Sequence, residues 1–189
     1  MKPTQASHIL CFDFRRGFGG AATSDLYTWE QDAEAGMQWA QKQFGQRLSG
    51  WWWDSGFFEN IPKAALTAPL PEDLALNAWC VADAEVQAVE GYSPHAFTAP
   101  DCLKPDDLLA CGWRALGWDI CGGGIDLSYL YTYTGAVAQQ HLRHRLNAVG
   151  LLDSYEECVE IIKVTDFSML DPVDYIPVQL ISTLGRVQP

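Results

Sequence analysis

The order of apolar segments predicts an α+β chain: a single globular domain over residues 1–189, with one mixed, mostly antiparallel sheet and helices packed on it. Three observations lead there. Apolar runs of strand length occur at His8–Phe14, Leu74–Ala82, Ala115–Cys121 and Tyr175–Leu184. A long segment from Thr23 or Ser24 to Phe44 instead places Leu26, Trp29, Ala33, Met37, Ala40 and Phe44 three to four residues apart, which gives a helix one apolar face. The succession of runs is neither a regular strand–helix alternation nor strand throughout, and that points away from a doubly wound parallel sheet and from a sandwich. A chain of 189 residues is ordinary for one domain.

Each element has a local reason. His8–Phe14 (HILCFDF) reads as the first strand and is ended by Arg15–Gly20 (RRGFGG). Thr23 or Ser24 is a candidate N-cap of the first helix, with Asp25, Glu30 and Asp32 near the positive end of its dipole, and Gly45 is its stop. Gly50–Phe58 (GWWWDSGFF) has no clean period and reads as a short strand or an aromatic loop. Asp83–Glu90 is a predicted short helix, and residues 91–107, with Pro94, Pro100 and Pro105, a long surface loop. Leu108–Gly112 and Ala115–Cys121 read as two strands around a turn at Trp113-Arg114, and Ile125–Tyr133 as another. Ala136–Ala148 reads as a helix ended by Gly150. Ser154 and Glu157 have capping-box spacing for a further helix to about Val164. Pro177 pushes the final strand, Tyr175–Leu184, toward a sheet edge or limits the strand's start.

Charge bounds the function. The chain carries 24 Asp plus Glu against 12 Lys plus Arg, a formal net charge of -12, yet it holds eight Trp. Aromatic content of that kind goes with a folded chain rather than a disordered acidic tail. Phosphate recognition needs clustered Lys and Arg, so nucleic acid is an unfavourable partner and a basic protein a favourable one. No stretch approaches the 18 apolar residues of a membrane span. Cys11, Cys80, Cys102, Cys111, Cys121 and Cys158 form no CxxC pair, and only Cys11 has a His (His8) two to four residues away, so they read as free thiols rather than zinc ligands. Residues Met1–Ser7 lack a charged region followed by an apolar run, so a cytoplasmic location is expected.

Trp51, Trp52 and Trp53 are the strongest local anomaly. Side chains alternate faces along a strand, so three adjacent indoles cannot all enter one core. With Asp54, Phe57, Phe58 and Glu59 they form the candidate partner-binding segment, because interfaces are enriched in Trp and Tyr. The alternative is a small-molecule or hydrolase site at Asp119, Gly122, Gly123, Gly124 and Asp126, where glycines would let a ligand approach two flanking carboxylates. Three weaker patterns remain. Gly17–Ala22 (GFGGAA) fits a phosphate loop, but the acidic ribose ligand expected about 20 residues on falls in mid-helix. Arg15 and Arg16 beside it read as solvated. His141 and His144 share a helix face, but Arg143 and Arg145 oppose a cation there; a basic patch able to pair with Glu156, Glu157 and Glu160 is the simpler reading. No metal or cofactor is expected.

The block Leu116–Gly135 (LGWDICGGGIDLSYLYTYTG) resembles the GWD-then-aromatic pattern of small acidic bacterial immunity proteins of polymorphic toxin systems. The resemblance implies a non-enzyme that binds and blocks a toxin. The expected function is therefore a cytosolic immunity- or inhibitor-type protein that neutralises a basic effector such as a toxin nuclease. The rivals are the ligand site above and a structural subunit of a larger assembly.

Overall fold

The computed structural model describes residues 5–16, 26–48, 57–92, 103–122, 127–130, 141–167 and 173–184. The strands are β1 (His8–Arg15), β2 (Phe57–Phe58), β3 (Ala75–Val81), β4 (Arg114–Gly122), β5 (Leu127–Ser128) and β6 (Tyr175–Ser182). The α-helices are α1 (Leu26–Phe44), α2 (Val86–Tyr92), α3 (Pro105–Ala110) and α4 (Tyr155–Val164), with 3-10 turns at Lys63–Leu66 and Asp83–Glu85. All six strands join one sheet in the order β2-β1-β3-β6-β4-β5. Every described pairing is antiparallel. The fold is thus α+β as expected, with one sheet that is antiparallel throughout its described strands.

β6 corrects one expectation. Of the two readings of Pro177, the sheet edge is excluded, because β6 lies in the middle, between β3 and β4. The register explains why Pro is tolerated. β4 runs beside all of Tyr175–Ser182, whereas β3 pairs only with Gln179–Ser182. Pro177 precedes the shared stretch, so on the β3 side its missing N–H removes no ladder bond.

The central strands are buried on both faces. All seven residues of β3 and the last six of β4 are buried. On one face Phe12 opposes Phe58 and Ala78, and Phe14 opposes Leu76. Phe14 meets Trp39 of α1 at 5.9 Å and Phe58 at 5.7 Å, both edge-on, which seats α1 on this face. α1 ends where Gly45 takes a φ of 65° and donates its N–H to Gln41. On the other face a row of side chains crosses the sheet: Phe57, Asp13, Asn77, Ser182 and Arg114 are successive cross-strand partners.

Several local readings change. Leu108–Gly112 is no strand: Pro105 opens helix α3, where a missing N–H is harmless at the first helical position. The Leu108 carbonyl then turns the chain by accepting from Trp113 N–H at 3.1 Å. The helix expected to reach Ala148 is helical at 141–142 and turns at 143–145. Asn147 is the reason. It accepts from the backbones of Val149 and Leu151 and donates to the Leu116 carbonyl, folding the segment onto β4. There Gly117, at φ 144° in a β-bulge, leaves room for Leu152, which exchanges two backbone bonds with Trp118. α4 spans the predicted residues, with Ser154 Oγ accepting from Glu157 N–H at 3.2 Å.

Candidate functional site

The elements around Tyr155 bring acidic groups together from distant parts of the chain. β3 runs into the 3-10 turn Asp83–Glu85, and Ser154 starts α4 directly before Tyr155, Glu156 and Glu157. Tyr155 packs edge-on against buried Trp118 of β4 at 5.5 Å. Its hydroxyl donates to Glu85 Oε1 at 2.5 Å, across 70 residues of sequence. Partial burial, then the Glu85 hydrogen bond and the nearby Glu85 and Glu156 charges, raise the phenol above its ordinary range. The partner of Glu85 is a neutral phenol, so its negative charge is not neutralised by that contact.

Other carboxylates near this face are paired. Asp83 accepts from Ser7 Oγ and His8 Nε2, each at 2.7 Å. The Ser7 hydrogen bond, followed by that of His8 and the charges of His8 and Lys104, lowers the Asp83 carboxyl. Ser7, His8 and Asp83 hold the residue types of a hydrolytic triad without its geometry. Both donors end on Asp83 Oδ1, so the serine hydroxyl points to the carboxylate and not to the imidazole that would take its proton. Arg145 reaches Glu160 at 2.9 Å and Glu157 at 3.6 Å, and the Glu160 hydrogen bond leads the causes that raise its pKa. Within the basic segment at 141–145, Arg145 thus pairs with α4.

The predicted site residues fall in different places. Trp51, Trp52, Trp53 and Asp54 lie outside the described residues. Phe57 and Phe58 form β2 and are buried at 2% and 4% exposure, so their rings belong to the core rather than to an open surface; Glu59 is half-buried. Phe57 packs edge-on with Trp79 at 6.0 Å. Of the alternative set, Gly123, Gly124 and Asp126 lie outside the described residues. Asp119 is fully buried in β4, with Oδ1 accepting from Ile120 N–H at 2.7 Å, and its carbonyl accepts from the Cys158 thiol at 3.6 Å. Burial, then the Asp119 charge, pushes that thiol up and makes it a poor nucleophile. Gly122 ends β4 beside Val173 and Tyr175.

The glycine pattern Gly17–Ala22 lies outside the described residues. Arg15 is largely withdrawn from solvent, with Nε meeting Asp13 at 2.7 Å, whereas Arg16 is exposed as expected while its Nε meets Asp73 at 3.0 Å and buried Asp32 at 3.7 Å. His141 and His144 are exposed, and no metal-binding group of three occurs among the described residues. Five free cysteines are described; Cys11, Cys80, Cys121 and Cys158 are buried and Cys111 is half-buried. No described helix is long and apolar enough to cross a membrane.

Sequence reasoning missed Tyr155, Glu85 and the Ser7–His8–Asp83 cluster. Ser154 was visible as a cap, which placed Tyr155 at a helix start, but nothing local joins positions 70 residues apart. Comparison with protein-family models, with curated proteins and with solved structures gives no match for this chain.

Proposed function

We propose that the chain is a cytosolic immunity- or inhibitor-type protein whose acidic face around Tyr155 docks a basic effector, such as a toxin nuclease. The observation that carries this reading is the Tyr155–Glu85 bond: it holds a carboxylate with a neutral partner beside the acidic first turn of α4. Net charge of -12 adds a long-range field of the same sign. Such a field speeds encounter with a cationic partner and is screened within about 10 Å at 0.1 M salt. Tyr155 supplies a rigid, amphipathic contact of the kind common at binding hot spots.

The test uses the tagged full chain and its Glu85→Gln/Glu156→Gln double variant. Each is incubated with host lysate at low and at moderate salt, and a captured protein is then measured by stopped-flow association. The expected result is one basic protein, captured less well as salt rises, with an association rate that drops several-fold in the double variant. Capture that ignores salt, or an unchanged rate in the variant, overturns the reading.

A further inference from the structure

β3 carries two buried polar atoms without a hydrogen-bond partner: Asn77 Oδ1, an acceptor, and Trp79 Nε1, a donor. They lie two residues apart on one strand and therefore share a sheet face, with Cβ atoms about 7 Å apart. The indole leans toward the row that holds Asn77. Its ring meets Phe57 at 6.0 Å, and Phe57 opposes Asp13, which opposes Asn77.

The Asn77 amide cannot turn to relieve itself. Its Nδ2 donates to Asp13 Oδ1 at 2.8 Å, while Arg15 Nε donates to Asp13 Oδ2 at 2.7 Å. A flipped amide would set its oxygen against the carboxylate, so Asp13 holds Asn77 Oδ1 facing away from β1. On the other side Asn77 opposes Ser182, whose Oγ accepts from Leu184 N–H at 3.0 Å and keeps a proton to donate. Side chains sharing this face, Cys11, Phe57 and Leu180, are at most 2% exposed.

We propose that this stretch of the sheet face binds one water molecule, which accepts from Trp79 Nε1–H and donates to Asn77 Oδ1, with the Ser182 hydroxyl as third partner. A buried donor and a buried acceptor each carry a desolvation penalty when unpaired, and one molecule with both functions removes the two together. The water thereby joins β3 to β6 through side chains as well as through the ladder.

The experiment is proton NMR of the full chain, with the Trp79 indole N–H assigned by its loss in Trp79→Phe. A cross-peak from that proton to water, with the sign of a long-lived bound molecule, is expected; its absence overturns the proposal. A double-mutant cycle of Asn77→Leu and Trp79→Phe gives an independent reading. Shared water predicts that the two substitutions depart from additivity by roughly two-fold or more in the folding equilibrium constant. Additive losses overturn it, and so does an indole N–H found in direct contact with another protein acceptor.

Discussion

Gly36→Ala is the sharpest perturbation of the core, because helix propensity and packing predict opposite signs. In an exposed helix interior, Ala is favoured over Gly by about 1 kcal/mol. Gly36, however, is where α1 rests on β1: a Cβ built there overlaps Phe14 Cδ2 and Cγ and lies 2.5 Å from Cε2, about 1 Å or more inside ordinary carbon–carbon contact. The Phe14 ring has no room to retreat, being 1% exposed and wedged between Trp39 and Phe58. Overpacking of this kind costs about 3 kcal/mol at the upper end of its usual range. Subtracting the propensity gain leaves a net loss of roughly 2 kcal/mol. With a urea m-value near 2 kcal/mol/M, the midpoint falls by about 1 M. Urea denaturation followed by Trp fluorescence reads this directly, and Phe14→Leu in the Gly36→Ala background should recover part of the loss by making space. An unchanged or raised midpoint for Gly36→Ala would refute the close approach of α1 to β1.

Three other outcomes are expected. Ser154→Ala removes the oxygen that accepts Glu157 N–H at the start of α4 and should cost about 1 kcal/mol in the same urea assay, with Ser154→Asp retaining most of the stability. Tyr155 has its pKa raised in the folded state, so its contribution is intact below the ordinary tyrosine range and is lost as pH climbs through the raised value; ultraviolet titration of tyrosinate should show a late-ionising group that disappears in Tyr155→Phe. Cys80 and Cys158 combine full burial with raised pKa values, so in a thiol-exchange assay of native protein they should react no faster than the chain opens.

What could be read in the chain depended on how local the cause was. β3, β4 and α4 were visible because each rests on a run of apolar residues or on a cap within a few positions, as with Ser154 and Glu157. α3 was hidden by composition: Pro105 signals a break wherever the next residues are unknown, and only the turn of Asp107 back to Lys104 N–H reveals a helix start. The end of the segment at 141–145 depends on Asn147 reaching Leu116, a contact across 31 residues that no window captures. The candidate face was less legible still. Charge announced that the chain is acidic, but which carboxylates meet is decided by the order of strands. Phe57 and Phe58 illustrate the converse, since an aromatic cluster in sequence looks the same whether it ends in the core or on a surface.

Strand order also decides how the acidic face is held. Glu85 follows β3 after one short turn, whereas Tyr155 is seated on Trp118 of β4. β3 and β4 do not pair with each other; β6 lies between them and pairs with both. The Tyr155–Glu85 bond therefore spans a seam that is filled only by a strand later in sequence than either residue. A substitution that weakens β6 in its centre, such as Leu180→Ala at a 1% exposed position, should lower stability by about 2–5 kcal/mol as a large-to-small core change. It should also move the two sides of the seam relative to each other. In variants that remain folded, the late tyrosine titration reports that movement: a Tyr155 released from Glu85 ionises earlier than in the parent protein, while its partial burial still holds it above the ordinary range. If Tyr155 titrates as late in a folded Leu180→Ala protein as in the parent, the face is held by α4 and the 83–85 turn alone, and the sheet centre has no part in positioning it.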